Sequence, residues 1–176
     1  MIVKIICSIK RLTNAVRDHR PYRHAQLMLA LIAILDFACS SMGQPRQFDW
    51  KPVEEAIGKA GSVQPDGVYK IALPRTDLHV KVGDVEVKPA LALGSWIAFR
   101  KLATEAIVMG DLVLTEDEVG PIMAKLEEES IEITALHNHL LNDSPHLFFM
   151  HFWANDDALK LARGLRAALD KTNSAK

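Results

Sequence analysis

The seven histidines of the chain are unevenly distributed, and four of them lie within fifteen residues: His137, His139, His146 and His151. The sequences on both sides of this segment alternate between apolar and polar residues, as in strands, and its middle contains Asn142, Asp, Ser and Pro, which favour turns. The segment therefore predicts a β-hairpin. Successive side chains on a strand point to opposite faces, so His137 and His139 are expected on one face.

The position of the turn predicts which residues of the hairpin lie opposite one another. If residues 143–145 form the loop, the numbers of paired residues add to 288, and His137 lies opposite His151. Opposed Cβ atoms in an antiparallel pair are about 4.5–5.5 Å apart. Three imidazoles then converge on one side of the sheet. A shift of one residue would move His151 to the other face.

Three imidazoles with an open fourth position are typical of a catalytic zinc site. Imidazole also binds copper, iron and nickel, and the spacing does not choose among these metals. The sequence thus predicts a metal site formed by His137, His139 and His151, with zinc as the first candidate. The alternative is that these histidines only pack beside Phe149 and Trp153. His146 is expected near the turn, outside the set of ligands.

A metal-bound histidine usually needs a carboxylate or carbonyl to orient it. Four acidic residues are candidates for this role. The sequence does not place any of them near the histidines, and each is otherwise explained as a helix cap or a surface charge. Motifs of serine hydrolases, P-loop proteins and dinucleotide-binding proteins are missing after residue 44. The four acidic candidates are Glu105, Asp111, Glu116 and Glu118.

The order of the elements predicts an α+β fold: one domain with a mostly antiparallel or mixed sheet and about three helices. A helix is expected from Trp50, capped by Asp49 and ended by Gly61, and a last helix from about Asn155 or Asp156. Between them the periodicity is that of strands, at 68–73, 79–82, 85–88, 95–99, 106–109, 112–114, 131–136 and 147–153, with a hairpin turn at 83–84.

The middle helix poses a choice, because two signals for its start disagree. The sequence from Thr115 to Glu118 is that of a capping box. A helix starting there would have Pro121 in its interior, where proline removes a hydrogen bond. The preferred prediction is a short turn followed by a helix with Pro121 at its first position.

The first 43 residues differ from the rest of the chain and resemble an export signal. They carry six Lys or Arg and two Asp or Glu, against 15 and 20 in residues 44–176. A basic stretch precedes an apolar run at 27–38 and small residues near Cys39, the pattern of a signal or anchor segment. Twelve apolar residues are too few to span a bilayer, which takes about 20. The alternative is a buried N-terminal helix.

Charge and cysteine content exclude several classes of function for residues 44–176, the predicted domain. A net charge of −5 does not favour nucleic-acid binding, which needs a basic face. The only cysteines, Cys7 and Cys39, lie before residue 44, so a disulfide framework is excluded. We expect a small-molecule ligand at most, no nucleic acid, and membrane contact only through the N-terminal segment.

Four segments resemble the LppY/LpqO family, lipoprotein-like proteins built on a domain of unknown function. They are VEVKPALALGSW at 85–96, VMGDLVLTEDEV at 108–119, ALHNHLL at 135–141 and MHF at 150–152. The resemblance covers about residues 48–171 and implies an exported protein, periplasmic or attached to the envelope. A weaker likeness, of spacing only, is to the zinc sites of acetolactate decarboxylase and of the plant-and-prokaryote-conserved domains, which also use H-x-H followed by a more distant His.

Three functions remain open at this point. The first is an exported metal-binding domain of unknown biological role. The second is a metal-dependent hydrolase or lyase that acts on a small polar substrate. The third is a structural envelope module in which the histidines hold no metal.

Overall fold

The computed structural model describes residues 48–173, and these form an α+β domain of four helices and nine strands in two antiparallel sheets. The predicted segment 1–43 lies outside the described residues. The helices are α1 (Lys51–Ile57), α2 (Pro89–Ala92), α3 (Glu116–Glu128) and α4 (Ala158–Leu169). The strands are β1 (Ser62–Val63), β2 (Tyr69–Pro74), β3 (Val80–Val82), β4 (Val85–Val87), β5 (Gly94–Lys101), β6 (Ala106–Thr115), β7 (Glu132–His137), β8 (Asp143–Ser144) and β9 (Leu147–Asp156).

The larger sheet has six strands in the order β1-β2-β5-β6-β9-β7, and the smaller has three in the order β4-β3-β8. The predicted fold class is confirmed. The one-turn helix α2 and the two-residue strands β1 and β8 were not expected, since elements this short leave little periodicity in a sequence. No helix among the described residues is both long and apolar enough to cross a membrane.

Helices α1, α3 and α4 cover one face of the large sheet. The apolar face of helix α4 is buried and packs on alternate residues of the central strands β6 and β9, such as Leu112, Met150 and Phe152. The other face carries the intervening residues. There a second, smaller apolar cluster lies beneath the three-stranded sheet. Its buried members are Val80, Leu93, Val113, Leu147 and Phe149.

Three helix ends differ from the prediction. Helix α1 ends at Gly58, not at Gly61, because Gly58 adopts the left-handed conformation (φ 81°) that closes a helix. Trp50 is its N-cap, and Asp49 accepts a hydrogen bond from the Lys51 N–H at 3.0 Å. Strand β9 continues to Asp156, so the last helix is capped by Asp157 instead, whose carboxylate accepts from two backbone N–H groups.

The expectation that Pro121 starts the middle helix is wrong, since α3 begins at Glu116 and contains the proline. The reciprocal cap supports the earlier start: Glu118 accepts a hydrogen bond from the Thr115 N–H at 2.9 Å. Gly120 precedes the proline and has no Cβ to meet its ring, which lowers the steric cost of a helical residue there. Helix α3 thus keeps its capping box at Thr115 and contains Pro121 in its interior.

A buried ion-pair network joins the end of β2 to the start of α3. The side chain of Arg75 is completely buried and donates to Glu118 at 2.7 and 3.1 Å, to Asp77 at 2.8 and 2.9 Å and to the Val113 carbonyl at 2.6 Å. Glu118 also accepts from the Asn173 N–H. Glu118 is therefore a structural residue and not a partner of the histidines.

Candidate metal centre

Strand β9 carries His151 on the face of the large sheet that is turned away from the three main helices. On this strand Met150 and Phe152 pack towards those helices, so His151 and Phe149 point to the other side. Asp111 of β6 is the direct cross-strand partner of His151 on one side, and Ala135 of β7 is its partner on the other. The pleat of the sheet thus brings Asp111 next to His151.

The predicted pairing of His137 with His151 is wrong by two residues, because His137 lies opposite Phe149. Residues 138–146 between β7 and β9 do not form a tight turn. Instead, Asp143–Ser144 within this stretch pair with β3 of the small sheet, which moves the register. From Ala135 to His137 a shift of two residues keeps the side chains on the predicted face, so His137 and His151 are diagonal neighbours. The pairing is irregular between Ile133 and Ala135.

The three histidine rings come together despite the altered register. The Nε2 atoms of His137 and His151 are 2.9 Å apart, and one ring nitrogen from each of His137, His139 and His151 lies within 4.8 Å of the others. Ring centroids are 4.9 Å apart for His137 and His139 and 5.0 Å apart for His137 and His151. Two ring nitrogens at 2.9 Å need a proton or a cation between them, because two lone pairs would repel.

His139 lies just beyond the end of β7 and is held by an aromatic contact. Its ring stacks on Phe149 with a centroid separation of 3.6 Å and an interplanar angle of 16°. Partial burial lowers the pKa of His139, and the neighbouring His137 and His151 lower it further, against the opposite effect of Asp111. The ring therefore favours the neutral form, which is the form that binds a metal.

A set of hydrogen bonds fixes the loop that carries His139. The Asn138 side-chain amide donates to the Leu147 carbonyl at 2.6 Å and to His146 Nε2 at 3.0 Å. His146 Nδ1 donates to Asp143 Oδ1 at 2.6 Å, and Asp143 Oδ2 accepts from the Leu147 N–H at 3.0 Å. His146 thus lies outside the cluster, as expected, and it helps to position its neighbours.

Of the four acidic candidates, the structure places Asp111 at the histidines. Asp111 is 6 % exposed, and its Oδ1 is buried without a hydrogen-bond partner among the described residues. Burial raises the pKa of Asp111 by more than the charges of the three histidines lower it. Glu105 accepts from Asn155, Glu116 is exposed in the first turn of α3, and Glu118 pairs with Arg75.

A cavity of about 290 Å³ opens beside the cluster. Asp111, His139 and Phe149 form one wall, and the opposite side consists of small and apolar residues from α2 and the adjacent strand ends. Sequence reasoning missed this cavity, because helix α2 is only four residues long and was not expected. The remaining lining residues are Pro74, Pro89, Ala90, Leu91, Ala92 and Gly94.

His79 does not join the cluster. Its side chain is 85 % exposed beside the hairpin of β3 and β4, 3.7 Å from a carboxylate oxygen of Glu86. It is therefore a natural internal control for experiments on the other histidines.

Comparison with known proteins gives a family but no activity. No curated protein and no solved structure matches the chain. A family model described as Domain of Unknown Function (DUF1259) matches residues 51–171, which include all three clustered histidines and Asp111. The match covers more than half of the chain, and the protein therefore belongs to the DUF1259 family.

Proposed function

We propose that this protein is a metal-binding domain in which His137, His139 and His151 hold one zinc ion. The observation that carries the proposal is the convergence of three ring nitrogens within 4.8 Å on one face of the sheet. Zinc–nitrogen bonds are about 2.0–2.1 Å long, so nitrogens around a tetrahedral zinc are roughly 3.3 Å apart. The Nε2 atoms of His137 and His151 are 2.9 Å apart, close to this value, and no separation among the three ring nitrogens exceeds 4.8 Å.

The surroundings of the cluster support a metal rather than simple packing. Asp111 brings a buried carboxylate oxygen without a hydrogen-bond partner among the described residues, and a nearby cation would offset the cost of burying that charge. His137 and His139 are exposed, which leaves a path for the ion to enter. Zinc is proposed because three imidazoles with an open position suit it; copper, iron and nickel are the competing ions.

The metal content of the purified full-length protein tests this proposal. After loading with zinc and exhaustive dialysis, mass spectrometry is expected to find about one zinc per chain. His137→Ala, His139→Ala and His151→Ala should each lose most of it, whereas His79→Ala should retain it. A wild-type protein without bound metal, or equal retention by all four variants, would leave the structural module as the remaining function. Circular dichroism confirms that each variant is folded.

Catalysis is a second candidate function, and Asp111 together with the cavity favours it. Three histidines leave a coordination position for a water molecule or a carbonyl oxygen, and bound metal activates either one. The carboxylate of Asp111 lines the adjacent cavity and would accept a hydrogen bond from that group. We therefore propose hydrolase or lyase activity on a small polar substrate. An ester, lactone and β-keto-acid panel tests it: with enough free zinc to saturate the weaker site, Asp111→Asn should hold zinc and lose activity.

Export is proposed from the sequence of the N-terminal segment and from the resemblance to the LppY/LpqO family. The basic run followed by the apolar run at 27–38 is the support for this proposal. Fractionation of cells that express the full-length gene should find the protein outside the cytoplasm, shortened near residue 43. A full-length cytoplasmic product would contradict it.

A further inference from the structure

The cavity beside the histidine cluster has few polar groups, and these define what it can bind. Asp111 and His139 supply the polar side chains of its lining, and no lysine or arginine is among the nine lining residues. The charge that a ligand meets in this cavity is therefore set by the metal and by Asp111. This reasoning rests on the proposed zinc site.

The charge of the site favours a ligand with one negative charge. Zinc contributes +2, three neutral imidazoles contribute nothing, and the carboxylate of Asp111 contributes −1, which leaves a net charge of +1. A monoanion neutralises the site, whereas a dianion leaves an uncompensated negative charge in a partly enclosed cavity, which is costly. A carboxylate is a suitable monoanion because its oxygens are good zinc ligands.

Asp111 adds a requirement for a hydrogen-bond donor on the ligand. Asp111 lines the cavity, and its Oδ1 has no hydrogen-bond partner among the described residues. A carboxylate at a cavity wall gains when a ligand brings an O–H or N–H group, and it penalises a ligand that lacks one. The donor has to stand close to the metal-binding oxygen, because Asp111 is the cross-strand neighbour of His151.

The remaining walls limit the size and nature of the rest of the ligand. Pro74, Pro89 and the residues of 90–92 offer apolar atoms, and a Cβ added to Gly94 would meet nothing within 4 Å. A volume of about 290 Å³ is at the small end of ligand pockets. A short aliphatic chain fits these walls.

We propose that the cavity binds short-chain monocarboxylic acids that carry an O–H or N–H donor on the carbon next to the carboxylate. In this arrangement the carboxylate of the acid binds zinc, the donor bonds to the Asp111 carboxylate where it lines the cavity, and the aliphatic end lies against α2. The hydrogen bond to Asp111 then favours acids that carry a donor over acids that lack one. The charge of the site favours monoanions over dianions.

Calorimetric titration of the zinc-loaded, full-length protein tests the inference with three acids. We expect 2-hydroxybutyrate to bind at least about tenfold more tightly than butyrate, which lacks the donor. It should also bind more tightly than 2-hydroxysuccinate, which is a dianion. Asp111→Ala should remove the preference for the hydroxyl group and improve binding of the dianion, since the site charge rises to +2.

Two variants test the location. Gly94→Leu places a side chain into the cavity and should abolish binding of the acid while zinc is retained. Ala103→Leu adds the same bulk at an exposed residue outside the cavity lining and should change nothing. Ala90→Leu replaces Gly94→Leu if that variant does not fold.

The outcomes separate this inference from the proposed metal site. A protein that holds one zinc but binds none of the three acids, or binds butyrate as well as 2-hydroxybutyrate, would overturn the inference and leave the metal site standing. A protein that holds no zinc would overturn both. Binding that survives Gly94→Leu and Ala90→Leu would place the acid elsewhere and also contradict the inference.

Discussion

At the scale of single residues, Asp111 is the position where stability and function conflict. A buried carboxylate without a hydrogen-bond partner is costly, and the cost falls if a cation lies nearby. The three histidines supply that cation only when they are protonated or hold a metal. The metal-free protein should therefore carry a local penalty that metal binding relieves.

Asp111→Asn tests this penalty. The substitution removes the buried charge with little change of shape, so the metal-free variant should be more stable than the metal-free wild type, by about 1–3 kcal/mol. Its affinity for zinc should fall, because a nearby negative charge is lost. Urea denaturation with and without zinc measures both effects. Asp84→Asn, at an exposed residue of the turn between β3 and β4, serves as the control. If metal-free Asp111→Asn were less stable than metal-free wild type, the buried charge of Asp111 would not be destabilising.

The role of Asp111 shows what the sequence could and could not predict at this scale. His137 and His139 form an H-x-H pattern, and His151 follows in a nearby strand, so the alternation of side chains predicted that the three would meet. Asp111 is 26 residues from the nearest of them in the chain. Only the pairing of β6 with β9 places it beside His151, and nothing in the local sequence distinguishes it from Glu105, Glu116 or Glu118.

At the scale of elements, the site depends on how closely β5, β6 and β9 approach one another around Gly110. A Cβ at Gly110 would lie 2.2 Å from a ring carbon of Phe152 and 2.6 Å from the Trp96 carbonyl oxygen. Both distances are far below van der Waals contact, so this residue has to be glycine for the strands to pair as they do. Its chain neighbour is Asp111.

Gly110→Ala should therefore destabilise the protein by about 1–3 kcal/mol or more, as overpacking does in cores. It should also weaken zinc binding, since β6 carries Asp111 to the cluster. The matched control is Gly94→Ala, where the added Cβ meets no atom within 4 Å and stability should change little. Thermal denaturation compares the two. Equal stability of both variants would show that the sheet adapts around Gly110.

The buried ion pairs of Arg75 connect the end of β2 to the start of α3. Removing one of them gives a second prediction, a loss of stability. Glu118→Gln leaves the buried guanidinium of Arg75 with Asp77 as its remaining carboxylate and should cost about 1–3 kcal/mol at pH 7. Glu128→Gln, at the exposed pair with Lys125, should have little effect. Urea denaturation at neutral pH measures both. A loss no larger for Glu118→Gln than for Glu128→Gln would contradict a structural role for the network.

The pKa of Glu118 predicts how the stability of the protein depends on pH. Burial raises the pKa of Glu118, but hydrogen bonds from Arg75 and from the Thr115 N–H outweigh it, so the pKa lies below its usual value of 4.5. A carboxyl whose pKa is lowered by folding stabilises the protein above its unfolded pKa and loses that effect as the pH falls through the folded pKa. Wild type should therefore lose more stability below about pH 4.5 than Glu118→Gln does.

The types of most elements were predictable from the sequence, and two details were not. Alternation and turn residues predicted the hairpin of β3 and β4 and the central strands. The register of β7 on β9 was not predictable, because residues 143–144 pair with a distant strand instead of closing a turn. The start of α3 was also not predictable, because the capping box at Thr115 and the proline at 121 favour different starts and the sequence does not rank them.

At the scale of the whole molecule, the large sheet divides the domain into two sides with different roles. One face packs against the three longer helices, and the other carries the histidine cluster at the border of the small sheet. The three histidines lie on β7, on the loop after it and on β9. A metal bound by all three would join these segments.

Zinc should accordingly stabilise the entire fold. At a free concentration of 100 times its dissociation constant, a ligand of the folded state adds about 2.7 kcal/mol of stability. The melting temperature should rise by several degrees with zinc and return when a chelator removes it. His151→Ala should show no such shift, and His79→Ala should behave like wild type. A shift that persists in His151→Ala would place the metal elsewhere.

The α+β class of the whole domain followed from the order of helical and strand patterns. The cavity was not predictable from the sequence. It forms where α2, two strand ends and the histidine cluster meet, and no single segment of the sequence contains all of these parts. Its residues are individually ordinary alanines, prolines and a leucine.

An anomalous-diffraction measurement at the zinc absorption edge tests the central claim most directly. Crystals of the zinc-loaded protein should show one anomalous peak about 2.0–2.1 Å from a ring nitrogen of each of His137, His139 and His151. A zinc-loaded crystal with no peak among these three rings, or with its peak at His79 or His146, would contradict the account.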